Sequence, residues 1–317
     1  MSSPFQAHAN QSDGRDEMLV GIIGNTGKPE CVHGIRRLVA ILNERSIPFL
    51  LHESLAVAFP ELAGIGEFIS AEEMRTRTTV VIAFGGDGTM LSSSRLLAGS
   101  GVPLLGINLG KLGFLAEFSV ESLEQTIDDL VDGGCRIVER TLLQATFPDH
   151  PEIEPLIGLN DIVIDKRDGA LMLHLEVYID GDYLGTYNAD GLILATPTGS
   201  TAYSLAVGGP VVAPNTRVMV IAPIAPHMLT ARPVVVPDSA ELDILATSVR
   251  HEDTVRVYAD GQIHRTVPMN ARIRITRYEK KASLVKRPST TYFDLLRAKL
   301  LWGREPVLNI QRIVSDE

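Results

Sequence analysis

The sequence predicts an α/β domain with a parallel, doubly wound sheet, then a β-rich domain, then a C-terminal helix that returns to the first domain. Three observations predict this. Strand-like and helix-like segments alternate as far as about Leu130. From Cys135 strand-like segments follow one another, and Thr291 to Leu301 reverts to a helical pattern. An alternating order places parallel strands between layers of helices. A lone helix after a β-rich unit needs an apolar partner, and the first domain is the expected one. The boundaries read as a flexible tail over 1–17, the α/β domain over 18–134, the β-rich domain over 135–288 and the returning segment over 289–317.

Met18 to Gly24 is an apolar strand that ends in a turn at Asn25-Thr26-Gly27. Pro29 opens a helix through Arg45, because proline suits a first turn and Val32, Ile35, Leu38, Val39 and Leu42 share one face. Pro48 to Leu51 is a short strand. Thr79 to Phe84 is β-branched, uncharged and too short for a core helix, so it is a buried strand. A helix from Met90 to Ala98 carries Arg95, a strand runs from Pro103 to Ile107, and Ser119 caps a helix to about Leu130.

In the second half the expected strands are Arg136 to Phe147, Asp161 to Asp165, Leu171 to Ile179, Tyr183 to Tyr187, Leu192 to Thr196 and Val218 to Ala222. Val234 to Val236, Glu241 to Leu245, Asp253 to Tyr258, Arg272 to Arg277 and Ala282 to Val285 complete them. Asp180-Gly181 is a tight hairpin signal.

Composition excludes several classes. With 45% hydrophobic and 21% charged residues over 317 positions, the chain is globular and long enough for two domains. A formal charge of −10 without a basic run argues against nucleic-acid and membrane-surface partners. Apolar runs such as Val218 to Ala225 fall far short of the ~20 residues that span a bilayer. Cys31 and Cys135 lack metal or redox spacing and read as reduced, which suits the cytoplasm. The histidines show no zinc spacing. Residues 1–17 lack an apolar core and read as a tail, not a signal peptide.

Five segments carry chemistry. The first is Gly85-Gly86-Asp87-Gly88-Thr89, between a strand and a helix. Its glycines let backbone N–H groups approach an anion at a helix N-terminus. A carboxylate there would repel phosphate, unless Asp87 takes a proton or holds a metal beside it. That points to phosphoryl transfer, with Gly85, Gly86, Thr89 and Arg95 as candidates for the phosphate donor. The second is Gly106 to Leu115, where Lys111 can meet a phosphate and Phe114 a ring; core packing of Phe114 and solvation of Lys111 is the plain alternative.

The third is Asn160-Asp161, able to hold ribose hydroxyls, or simply an Asx-type start to a strand. The fourth runs from Asp190 to Pro210. Six hydroxyls (Thr196, Thr198, Ser200, Thr201, Tyr203 and Ser204) fall in nine residues at a strand-to-helix turn, which suits phosphates, ribose and base edges. Ser200 lacks the G-x-S-x-G spacing of a nucleophile. The fifth is Tyr258-Ala259-Asp260-Gly261-Gln262, a hairpin turn from which Gln262 can face a cleft.

In this order and spacing the five segments resemble the NAD kinase family over about residues 18 to 285. The pentad alone is shared with lipid and sphingoid-base kinases. The specific stretch is D-G-L-I-L-A-T-P-T-G-S-T-A-Y-S-L-A-V-G-G-P, with L-G-F-L before it. The resemblance implies transfer of the γ-phosphate of ATP to the 2′-hydroxyl of the adenosine ribose of NAD+. Asp87 would be the base, or else a ligand of Mg²⁺. Mg²⁺ would be held mainly by the ATP phosphates, with no dedicated protein site.

It also implies that Gly88, Phe114, Asn160, Asp161, Asp190, Thr198, Thr201, Ala202, Tyr203, Ser204, Leu205, Ala206 and Gln262 line the dinucleotide site. Homodimers or homotetramers are implied as well. Two departures stand out. Asn188 replaces a common arginine near the nicotinamide end, which bears on NAD+ against NADH, and Asp161 replaces a glutamate. A lipid kinase would need an acyl channel that the hydroxyl-rich stretch argues against. A non-catalytic dinucleotide sensor would have no need of Asp87.

Overall fold

The computed structural model describes residues 18–110, 113–166, 172–248 and 254–302. The expected tail over 1–17, Lys111 and the end of the C-terminal segment over 303–317 lie outside the described residues.

The first half alternates as expected. Its order is β1 (Val20–Gly24), α1 (Glu30–Glu44), β2 (Phe49–His52), α2 (Glu53–Ala58), β3 (Glu67–Ile69), α3 (Ala71–Arg77), β4 (Val80–Gly85), α4 (Asp87–Leu96), β5 (Leu104–Asn108), β6 (Phe118–Ser119) and α5 (Leu123–Val131). α1 buries Val32, Ile35, Leu38, Val39 and Leu42, the stripe its spacing predicts. A capping box between Ser70 and Glu73 starts α3, a helix that polar residues hid from the periodicity. β4 is buried at every residue, because helices cover both faces of its sheet.

The second half continues with β7 (Arg136–Arg140), β8 (Leu143–Thr146), β9 (Leu156–Gly158), β10 (Asp161–Asp165), β11 (Leu173–Ile179), β12 (Asp182–Ala189), β13 (Gly191–Ala195) and α6 (Tyr203–Ala206). It ends with β14 (Val218–Ile224), β15 (Val234–Pro237), β16 (Leu242–Ser248), β17 (Thr254–Ala259), β18 (Ile263–Pro268), β19 (Arg272–Arg277), β20 (Ala282–Lys286) and α7 (Tyr292–Leu300).

The first sheet has the order β3-β2-β1-β4-β5-β20-β7, with β6 beside β5. β1 to β5 are parallel, β20 is parallel to β5, and β7 is antiparallel to β20. This corrects the expected strand over Arg136 to Phe147. It is two strands in different sheets: β7 closes the edge of the first sheet and β8 pairs with β19. β20 likewise joins the first sheet, although it follows the β-rich half in sequence.

The other strands form two six-stranded antiparallel sheets, β15-β14-β13-β10-β17-β18 and β12-β11-β16-β19-β8-β9. They share one apolar core, with Ile162, Ile164, Leu192 and Leu194 facing Leu175, Val177, Ile244 and Ile273. The Asp180-Gly181 hairpin forms as predicted, both residues at positive φ, 51° and 88°. α7 buries Leu295 and Leu296. Around it, Tyr292 donates to the Val212 carbonyl at 3.4 Å, and Lys299 Nζ lies 6.0 Å from the Phe114 ring centroid.

Candidate functional site

In the order β3-β2-β1-β4-β5 the chain moves outward in one direction from β1 and in the other from β4. Their carboxyl ends therefore flank a crevice, the position where open α/β sheets bind ligands. The structure has a cleft of about 540 Å³ there, lined by Asn25, Thr26 and Lys28 after β1 and by Gly86, Gly88, Thr89 and Ser92 after β4. The Asn25 N–H donates to the Phe84 carbonyl at 2.8 Å, which fixes the two loops together. Asn25 was read in the sequence only as part of a turn, and Lys28 went unread. Strand order, not local pattern, places them.

Asp87 is the first residue of α4, after Gly86 as N-cap. Its carboxylate faces the loop after β5. Oδ2 accepts the Phe114 N–H at 2.9 Å, and Oδ1 accepts the N–H groups of Leu115 at 2.9 Å and Ala116 at 3.3 Å. A β-carbon at Gly113 would overlap the Asp87 carboxylate, so only glycine fits there. A carboxylate has about four acceptor positions. Oδ2, with one bond, has the position left for a further donor.

The remaining groups cluster across a second cleft of about 330 Å³, lined by Asn160, Asp161, Asp165, Ala202, Tyr203 and Tyr258. Two motifs distant in sequence are stitched together to make it. Thr196 donates its N–H to the Asn160 carbonyl at 2.8 Å and its hydroxyl to the Leu159 carbonyl at 2.6 Å. A β-carbon at Gly199 would strike the Asn160 backbone. Much of the hydroxyl density therefore holds the turn itself. Ser200 donates to the Pro197 carbonyl at 2.7 Å and accepts the Val212 N–H at 3.0 Å, and Thr201 donates to the Thr198 carbonyl at 3.3 Å. Thr198 Oγ1 and Ser204 Oγ are buried without a hydrogen-bond partner. Tyr203 stays exposed at the mouth, with Leu205 half-buried and Ala206 exposed behind it on α6.

Asp190 sits between β12 and β13, where Lys166 Nζ meets its Oδ1 at 2.6 Å. Asn188 Oδ1 lies 2.5 Å from His174 Nδ1 on the neighbouring strand. Phe114 and Thr198, with Thr201, line a third, small pocket of about 60 Å³.

Residues 20–135 match the family model of the ATP-NAD kinase N-terminal domain, and residues 159–287 that of the ATP-NAD kinase C-terminal domain. An NAD kinase of Moorella thermoacetica is 40% identical over 284 residues, covering 90% of this chain and 89% of its own. The chain belongs to the NAD kinase family. In fold it is similar to the crystal structure of an NAD kinase from Archaeoglobus fulgidus in complex with ATP (TM-score 0.71, 25% identity, 90% of this chain and 99% of that one). The yeast NADH kinase complexed with NADH has the same fold (TM-score 0.83, 22% identity, 92% and 89% covered).

One bridge in this NAD kinase site escaped the sequence. Asp260, in the hairpin turn before β18, accepts the backbone N–H groups of Leu159, Asn160 and Asp161 at 3.1, 2.7 and 3.3 Å. Arg95 on α4 donates to Asp260 Oδ2 at 2.8 Å and to Gln262 Oε1 at 2.5 Å. Gln262 Nε2 in turn donates to the Gly88 carbonyl at 2.7 Å. Arg95, expected beside the phosphate donor, is thus a tie between the domains. Gln262 faces the first cleft, and Asp260 and Gly261 line the second.

Burial, with Asp260 beside it, pushes the Asp161 carboxyl up to about 7. An unfolded aspartate titrates near ~3.9. Between these values the folded state holds the extra proton. Stability from neutral Asp161 is therefore full below pH ~4 and is lost as pH rises through about 7. Asp161→Asn is expected to remove that slope. Urea midpoints at pH 5 and 8 check it: the variant should gain on the native chain at pH 8 relative to pH 5.

Proposed function

We infer that this chain transfers the γ-phosphate of ATP to the 2′-hydroxyl of the adenosine ribose of NAD+, giving NADP+. The observation that carries this is that the Asp260–Gln262 turn lines both clefts, Gln262 the one that holds the pentad residues Gly86, Gly88 and Thr89 and Asp260 the other, in a chain that belongs to the NAD kinase family. The cleft at the ends of β1 and β4 offers backbone N–H groups, hydroxyls and Lys28 to a triphosphate. The second cleft offers Asn160, Asp161 and Tyr203 to the dinucleotide, and Asp190 lies beside it, its carbonyl accepting the N–H of Lys166 next to the cleft residue Asp165.

A ribose hydroxyl attacks phosphorus only if its proton has somewhere to go. We assign that role to the open position on Asp87 Oδ2, a contribution of typically ~10²–10⁴ in rate. The Asp87 carboxylate is pre-aimed by its backbone bonds and needs little rearrangement when the hydroxyl arrives.

Among the described residues no group of three or more His, Cys, Asp or Glu can hold a metal ion. The donors around the phosphate cleft are neutral oxygens and a lysine, a set that fits a nucleotide carrying its own Mg²⁺ rather than a bare cation. When bound, Mg²⁺ would neutralise phosphate charge.

Exposed Tyr183, Leu184, Met228 and Leu229, on segments joined by the His227 N–H to the Asn188 carbonyl, support assembly into a homodimer or homotetramer. Cys31 and Cys135 are free thiols, which supports a reducing, cytoplasmic setting. The test is NADP+ formation by the purified full chain with NAD+, ATP and Mg²⁺. Product is expected with ATP, and its absence from folded protein would overturn the assignment.

A further inference from the structure

A peptide unit joins the carbonyl of one residue to the N–H of the next, so a cation on the carbonyl strengthens and aims the donor opposite. Two successive units in the loop after β5 are used in this way. Lys286 Nζ donates to the Phe114 carbonyl at 3.2 Å, and the N–H of that unit, on Leu115, donates to Asp87 Oδ1 at 2.9 Å. Lys286 Nζ also donates to the Leu115 carbonyl at 3.0 Å, and the N–H of that unit, on Ala116, donates to the same oxygen at 3.3 Å. The third ammonium proton goes to Glu117 Oε1 at 2.7 Å.

An ammonium has three donors, and here all three are spent inside the protein. Lys286 therefore has none left for a phosphate. It is 4% exposed on β20, the strand inserted between β5 and β7. Burying an ammonium is costly, and the Lys286–Glu117 pair replaced together by apolar side chains of similar size is often as stable, whereas removing Lys286 alone strands the Glu117 carboxylate. The carbonyls it holds belong to the peptide groups that hold Asp87.

We propose that Lys286 is a positioning residue for phosphoryl transfer, fixing the 114–116 peptide groups and through them the Asp87 carboxylate. The proposal rests on the reading of Asp87 as the group that meets the 2′-hydroxyl. Without the anchor, the stretch that follows Gly113 is free to turn its N–H groups away, and the carboxylate loses its aim while the two ligand clefts keep their lining.

The test uses the full chain with NAD+, ATP and Mg²⁺. Lys286→Met is expected to lower kcat about 10–100-fold, the cost of a small misplacement of a reacting group. Both KM values should stay within about threefold, since Lys286, although it borders the small pocket beside Phe114 and Thr198, has no donor left for a ligand. Amide hydrogen exchange over 113–117 should quicken, and Lys286→Arg should recover most of the loss. Should Lys286→Met not fold, Lys286→Met with Glu117→Gln, which removes the stranded carboxylate as well as the anchor, carries the same split. Raised KM at unchanged kcat would mark a direct ligand contact and overturn the proposal, as would native kcat in the folded variant. Asp87→Asn separates the two levels. If it keeps full turnover, the reading of Asp87 falls and the proposal with it. If it is inactive beside a fully active Lys286→Met, only the role of Lys286 falls.

Discussion

Asp87→Asn is expected to lower kcat by at least about 10³-fold, within the range that a positioned general base supplies. The same substitution should also cost stability. An amide keeps one acceptor oxygen, but its nitrogen only donates, so it cannot accept from both the Phe114 and Leu115 sides. At least one loop N–H is left facing a donor, a loss of about 1–3 kcal/mol. Turnover must therefore be read alongside the unfolding midpoint, and at a temperature where the variant is fully folded. Mg²⁺ dependence of ATP binding separates the two roles of the carboxylate. Unchanged dependence in Asp87→Asn leaves the base, whereas weakened dependence makes Asp87 a metal ligand.

Arg95→Ala is expected to be the most destabilising single change at the site. The Asp260 side chain is fully buried and that of Arg95 is 15% exposed. Removing the guanidinium strands a buried carboxylate whose remaining partners are three backbone N–H groups, a loss of about 3–5 kcal/mol. Gln262 loses a donor as well, so only its bond to the Gly88 carbonyl still ties α4 to the turn that holds the Leu159–Asp161 segment. KM for NAD+ should rise. Adding Asp260→Asn to Arg95→Ala removes the stranded charge. Because the new amide nitrogen leaves one backbone N–H of the Leu159–Asp161 segment facing a donor, the double variant should lose less in urea than the sum of the two single variants, and a purely additive loss would refute the bridge.

The contrast between Asp87 and Asp260 shows what was legible in the chain. Asp87 stood out because a carboxylate between glycines at a phosphate-binding turn is chemically odd, and oddness is visible locally. Asp260 looked ordinary because D-G is what a tight hairpin requires, and it does adopt positive φ, 53°. Its second role depends on Arg95, 165 positions earlier, and no local pattern reports such a partner. Thr196 and Ser200 misled for a related reason. Hydroxyls that hold a turn and hydroxyls that hold a ligand have the same composition. The strands β7 and β20 were visible as strands, but periodicity says which face of a strand is apolar, not which sheet receives it.

The late arrival of β20 bears on how the molecule is made. During synthesis from the N-terminus, residues through Val131 can form β1 to β5 and their helices, but the outer side of β5 stays unpaired along Leu104 until Leu284 has been added. β7 has no partner in its sheet before then. The nascent first domain thus carries an open edge throughout translation of the β-rich half, the condition under which strands pair with the wrong chain. The loop that orients Asp87 gains its anchor, Lys286, in the same step that closes the edge. Closure of the sheet and assembly of the site are one folding event.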